Sequence, residues 1–266
     1  MHVKVRIVIF FSILLSIVGG IGLLKSRTNY GIDGNPVKAL QGNIIFNETF
    51  EGNKPFSMAH KIEAGKWNYA LQYVNDPVFE GKRAVRFEIH KDQELVSNGK
   101  RCEAVIIKGL PSREMWYSFA VFFPSHGFER DTQRELFNQW YQKGSPATSL
   151  RVRNDAVYLE SGNTKESREE ISIAPLVKDV WHEFVLHFVH SYGDEGLIEV
   201  WYDNQKVITR HGGNMYDDVL PKWKIGIYKT AFTSNQSLVN SRVLYFDNVK
   251  VGNEKSSYEA MKPGVD

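Results

Sequence analysis

Apolar and polar residues alternate along most of this chain in short runs, and few stretches repeat every three to four positions. Val85, Phe87 and Ile89 interleave with Arg86, Glu88 and His90, and Phe184, Leu186 and Phe188 interleave with Glu183, Val185 and His187. A period of two is that of a strand with one face buried. Runs rich in aromatic and β-branched residues at 44–50, 67–74, 83–90, 101–107, 115–123, 149–160, 181–190, 197–209, 223–228 and 243–251 read as strands. With turn residues between them, they predict an antiparallel all-β sandwich. Within 197–208 the pair Asp203-Asn204 tolerates the left-handed backbone of a tight hairpin, so that run holds two strands. Residues 161–175 and 210–222 read as polar loops suited to the mouth of a groove, and 129–137 as one helical turn.

The first 27 residues break the pattern. Lys4 and Arg6 precede an uncharged run of 18 residues from Ile7 to Leu24, long enough to reach across a bilayer and without a clear small-x-small cleavage site. This segment is read as a signal peptide or a signal anchor, so the protein is expected to be exported: secreted, periplasmic or membrane-anchored, touching a membrane only through residues 1–27. Residues 28–43, rich in Gly and Asn, form a linker; the domain runs over 44–253, and 254–266 is a tail too poor in apolar residues to fold independently.

Composition narrows the function. At 42% hydrophobic and 24% charged residues the chain is that of a soluble globular protein. Removing Lys4 and Arg6 leaves 31 basic against 31 acidic residues, so no overall field draws nucleic acid, and the protein is expected to be a monomer. Cys102 is the only cysteine, which excludes an intramolecular disulfide and any cysteine-clustered metal site. Neither a Walker loop nor a Gly-x-Gly-x-x-Gly run occurs, so no nucleotide or redox cofactor is expected.

Three short segments carry candidate chemistry. On an extended chain Arg101 and Glu103 share a face, where a guanidinium beside a carboxylate either recognises a planar carboxylate ligand or forms a structural ion pair. In 136–142, Gln139 and Tyr141 share one face and Asn138, Trp140 and Gln142 the other; amides beside an aromatic suit a sugar, although a lone Trp is more often a core residue than a platform. In 223–229, Lys224, Gly226 and Tyr228 share a face, and Gly226 would let a ligand approach the backbone between a lysine and a phenol. His187 and His90 lie on strands and could face the groove.

The trio Arg101-x-Glu103, Gln139-x-Tyr141 and Lys224-Ile225-Gly226-Ile227-Tyr228, in that order, resembles the pattern of jelly-roll polysaccharide lyases. Alginate lyases of this fold carry Arg-x-Glu, Gln-x-His and Lys-x-Gly-x-Tyr strands. Gln139-Trp140, Trp181-His182, Ile198-Glu199-Val200-Trp201 and Phe246-Asp247-Asn248-Val249 bring the likeness closer to the heparin-lyase-I-like and glucuronan lyase group, over about residues 44–252. The resemblance implies a β-jelly roll and β-elimination on an acidic polysaccharide such as glucuronan, alginate or a heparin-like glycan. Arg101 and Gln139 would neutralise the uronate carboxylate, and Tyr228 would transfer the proton, given that cations can depress a phenol from its usual value of about 10. Tyr141 stands where the alginate lyases have histidine, so either it replaces that base, or a histidine elsewhere does, or the protein is impaired. Glu103, Asn138, Trp140, His187 and Lys224 complete the expected substrate contacts. The resemblance also implies a structural Ca²⁺ between the first and last strands, with Glu51 and Asp247 as its carboxylates. A non-catalytic, lectin-like module of the same fold is the alternative. The Glu-x-Asp-x-x-Glu strand of jelly-roll glucanases is absent, which speaks against a hydrolase.

Overall fold

The computed structural model describes residues 42–142 and 144–265, so the expected signal peptide or anchor at 1–27 and the expected linker as far as residue 41 lie outside the described residues. The strands are β1 (Ile44–Glu48), β2 (Lys61–Glu63), β3 (Leu71–Val74), β4 (Ala84–His90), β5 (Arg101–Ile107), β6 (Glu114–Phe122), β7 (Glu135–Gln142) and β8 (Ser145–Arg153). They continue with β9 (Ala156–Ser161), β10 (Glu169–Pro175), β11 (Trp181–Val189), β12 (Leu197–Tyr202), β13 (Gln205–His211), β14 (Lys222–Tyr228) and β15 (Ser241–Gly252). Two short helices, α1 (Thr230–Thr233) and α2 (Tyr258–Met261), flank β15. One sheet has the order β13-β12-β11-β6-β15-β4-β3 with β1 also on β15; the other has the order β10-β9-β8-β7-β14-β5-β2. Every strand pairing is antiparallel.

The alternation read from the sequence becomes the core. Phe184, Leu186 and Phe188 of β11 and Trp223, Ile225 and Ile227 of β14 are fully buried between the sheets. Trp140 stacks on Phe188 at 4.3 Å, and Phe119 on Phe184 at 5.1 Å. Each large side chain so buried contributes about 2 kcal/mol, enough in sum to hold a sandwich without a disulfide. Cys102 is part of that core: burial pushes its thiol up to about 12, and its Sγ donates to the Ala70 carbonyl at 2.9 Å.

Several elements differ from expectation. The run 149–160 is two strands, because Asn154 and Asp155 take φ of 54° and 55° and turn the chain back on itself, as Asp203 and Asn204 (46° and 66°) do in the expected hairpin. Part of the expected loop 161–175 is the edge strand β10, whose side chains are mostly solvent-facing and whose last residue is Pro175. The helical turn expected over 129–137 gives way to β7 from Glu135 onward. The tail is anchored by Met261 of α2, fully buried against Trp116 and Val185.

Candidate functional site

Strands β5, β14 and β7 lie side by side, and the period of two divides their side chains between the core and the opposite face. Cys102, Ala104, Ile106, Trp140, Trp223, Ile225 and Ile227 go to the core. That leaves Arg101 and Glu103, Lys224 and Tyr228, and Gln139 and Tyr141 on the other face. The register aligns Tyr228 with Arg101, Gly226 with Glu103, and Lys224 with Gln139. A cleft of about 590 Å³ opens on this face, and Arg101, Gln139, Tyr141 and Tyr228 all line it. The four residues for which catalytic roles were expected therefore meet in one place.

A buried ion network fixes them. Glu103, fully enclosed, accepts from Arg101 Nη1 at 2.9 Å through Oε2 and from Gln139 Nε2 through Oε1. Burial raises the Glu103 carboxyl, against the pull of Lys224 and Arg101. Lys224 Nζ donates to Glu63 Oε2 at 2.7 Å and lies 3.9 Å from Glu103. Glu63, although burial opposes its ionisation, is held below the usual carboxylate range by Lys224 and then Arg101. The Arg101 guanidinium stacks 4.2 Å from the centre of the Tyr228 ring, and Lys224 Nζ sits 4.8 Å from that of Tyr141. Arg101 Nε is buried without a partner, and the Gln139 amide nitrogen has two donors of which Glu103 takes one. The Arg101 guanidinium, with five N–H donors of which Nη1 gives one to Glu103, and the Gln139 amide are thus held at fixed positions at the cleft.

Some expected contacts are not made. Trp140 is no sugar platform, because it packs in the core, and Asn138 accepts there from Trp223 Nε1 at 2.9 Å. His187 lies on the other sheet, on the face turned away from the core, bonded to Glu199 at 2.8 Å and Glu114 at 3.0 Å and stacked 4.2 Å from Trp116. His90 is likewise engaged, with Glu88 at 2.7 Å and Tyr69 at 3.9 Å. Among the described residues no histidine lines the cleft. Glu103 and Lys224 hold the cleft residues from beneath and do not line the cleft themselves. Gly226 serves the protein, not a ligand: at φ +125° a Cβ there would meet Cys102 O at 2.3 Å and Glu103 Cα at 2.7 Å.

The roles of other residues in or beside the cleft escaped the sequence reading. Gly99 leaves room for the machinery itself, since a Cβ would lie 2.6 Å from Tyr228 Cε2 and 2.9 Å from Arg101 Nη2. Arg134, Arg151 and Arg168 line the far side. Arg151 lies in the run 149–160 read as strand, but only strand order reveals that its side chain reaches the cleft.

Glu51 and Asp247 bear on a metal. Asp247 is fully buried, and its carboxyl is pushed up to about 7, first by burial and also by the charge of Glu51. Both carboxylates grip the segment 79–83: Asp247 accepts from the amides of Phe79 and Glu80, Glu51 from those of Lys82 and Arg83. On β1, Asn47 Oδ1 is buried without a partner. Among the described residues no group of three His, Cys, Asp or Glu side chains could hold a metal, so carbonyl and amide oxygens would have to complete a Ca²⁺ shell. Carboxylate and amide oxygens are the hard donors that Ca²⁺ takes.

Residues 46–250 match the family model described as polysaccharide lyase. No match was found among curated proteins. Among solved structures, the endo-β-1,4-glucuronan lyase of the fungus Trichoderma reesei superposes with a TM-score of 0.67 at 15% identity, over 84% of this chain and 100% of that one. An alginate lyase of polysaccharide lyase family 7 gives 0.51 at 16% identity over 70% and 83% of the two chains. The alginate lyase of a Corynebacterium species gives 0.51 at 17% identity over 70% and 82%. At these identities the likeness is one of fold.

Proposed function

We propose, from the premise that this chain belongs to the polysaccharide lyase family, that its cleft binds a uronic-acid-containing polysaccharide and cuts it by β-elimination. The convergence of Arg101, Gln139, Tyr141 and Tyr228 on one cleft carries the reading. The C5 proton of a uronate becomes acidic only when the adjacent carboxylate is neutralised, and the free donors of Arg101 and Gln139 supply that neutralisation. As the proton leaves, its electron pair forms the C4–C5 double bond, the C4–oxygen bond breaks, and the departing oxygen takes up a proton. Along β7, Gln139 falls between the positions aligned with the two phenols: Tyr141 itself on one side, and Leu136, the partner of Tyr228, on the other. A uronate clamped at Gln139 and Arg101 then has a phenol at either end, with Tyr228 the principal proton carrier.

The test is to incubate residues 41–266 with glucuronan, alginate, heparin and a neutral β-glucan and follow the ultraviolet absorbance of the unsaturated uronate. Absorbance should rise with an acidic glycan and stay flat with the neutral one; binding without absorbance would instead mark a lectin-like module. A polymeric substrate also accords with export through residues 1–27. We further propose that Glu51 and Asp247 hold a structural Ca²⁺, which would offset the buried charge of Asp247. Adding Ca²⁺ to chelator-treated protein should then raise the melting temperature, and an unchanged melt would remove the site.

A further inference from the structure

The far side of the cleft holds more positive charge than its own acids balance. Arg151 Nη2 and Arg168 Nη1 reach Glu160 Oε1 at 2.9 and 3.0 Å, while Arg134 Nη1 takes Glu160 Oε2. The neighbouring Glu170 is shared between Arg153 at 2.7 Å and Arg134 at 3.4 Å. Four guanidiniums therefore face two carboxylates, an excess of two positive charges. Two of them, Arg151 and Arg168, are held in place, while Arg134 and Arg153 are partly exposed. Arg151 is buried and donates through Nε to Ser149 Oγ at 2.9 Å, and Arg168 is tied to Ser145 Oγ at 3.4 Å and the Pro146 carbonyl at 3.3 Å. Burial lowers the Arg151 pKa, and the charges of Arg134 and Arg168 add to the effect, so an incoming anion would relieve the crowding.

Strand register places this cluster on a line with the catalytic end. Arg101 pairs with Tyr228, Tyr228 with Leu136, and Leu136 with Arg151. Three strand spacings separate Arg101 from Arg151, about 14 Å. Leu136, Arg134 and Arg168 line the cleft between and around them. We infer that Arg134, Arg151 and Arg168 form a second anion-binding subsite, which takes a carboxylate or sulfate group of the same glycan chain one or more sugars away from the bond that is cut. The inference rests on the acidic-glycan reading of the cleft and adds that the protein selects a chain charged at more than one sugar. A planar guanidinium fork suits either anion.

The experiment compares wild type with the double variant Arg134→Gln/Arg168→Gln, and with Arg134→Lys/Arg168→Lys as a charge-keeping control. Circular dichroism and thermal melting verify the fold. Elimination kinetics are measured on a glucuronan hexasaccharide and on the shortest oligosaccharide that wild type cleaves. The glutamine variant should raise KM for the hexasaccharide about ten-fold with kcat nearly kept, raise it far less for the short substrate, and recover in part with lysine. Equal losses on both substrates, or none on the hexasaccharide, would overturn the subsite. If wild type eliminates neither substrate, calorimetric titration with the hexasaccharide separates the two readings. Weaker binding by the glutamine variant keeps the subsite while the lyase reading falls, and unchanged or absent binding overturns the subsite. A parallel series with a sulfated heparin hexasaccharide tells carboxylate from sulfate by which glycan loses more affinity.

Discussion

Tyr228 is held on two sides, by the Arg101 guanidinium over its ring and by the bare backbone of Gly99 at its edge. Tyr228→Phe keeps that packing and removes the hydroxyl proposed to carry the proton, so kcat on glucuronan should fall by about 10²-fold or more while binding stays within a few-fold. Full activity in this variant would remove the phenol from the mechanism. Gly99→Ala tests position, not chemistry. Its methyl would press on both Tyr228 and Arg101, and because small displacements of reacting groups are costly, kcat should drop about ten-fold or more with little change in melting temperature. Glu103 touches no open space, yet it fixes Arg101 and Gln139 together. The sequence showed Arg101 and Glu103 on one face, but it could not tell whether the glutamate met the sugar or held the arginine. That depended on the two strands next in the sheet, β14 and β7, which bring Lys224 and Gln139 to the same carboxylate.

At the scale of the element, the end of β14 is secured by a buried quartet. Lys229, directly after Tyr228, lies 3.0 Å from Asp131 and also pairs with Glu135, while Arg242 of β15 donates to Glu135 at 3.0 Å. All four are essentially inaccessible to solvent. Removing one partner from such a set strands the others, so Lys229→Met should cost about 3–5 kcal/mol by urea denaturation. A loss under about 1 kcal/mol would mean that the acids find other partners. The strands themselves were mostly legible, because their alternation is strong wherever one face enters the core. β10 and β2 were not, since edge strands bury little and carry polar residues that read as loop.

For the whole molecule, two buried groups, His190 and Asp131, lose stabilising interactions as pH falls, in two windows. His190, fully buried with its Nε2 2.8 Å from the Tyr117 hydroxyl, has its pKa lowered by burial to about 3. The unfolded chain binds that proton near the ordinary value of 6.5 and the folded chain does not, so stability falls as pH drops from 6.5 towards 3. Asp131 acts lower. Burial opposes its ionisation, but Ser237, Gln133 and Lys229 outweigh it and hold the group at about 2, so the stability it adds above 3.8 is lost as pH falls towards 2. Asp247 works in the opposite sense, since its carboxyl, raised to about 7, adds stability as pH falls from 7 towards 3.8, so the His190 contribution is read as a difference: between pH 7 and pH 4 the urea midpoint of wild type should fall relative to that of His190→Gln. An equal change in both proteins would show that His190 takes up its proton in the folded state.

From the amino-acid order alone came the all-β class, the hairpin at Asp203-Asn204, and the placing of Arg101, Gln139, Tyr141 and Tyr228 on strand faces. Those features follow from a period of two and from local backbone preference, which act between near neighbours. Tertiary structure alone decided which faces meet. It sent Trp140 and Asn138 inward, set His187 on the opposite sheet, and put Arg151 in line with Arg101. Those outcomes depend on strand order and register, which bring together residues far apart in the chain.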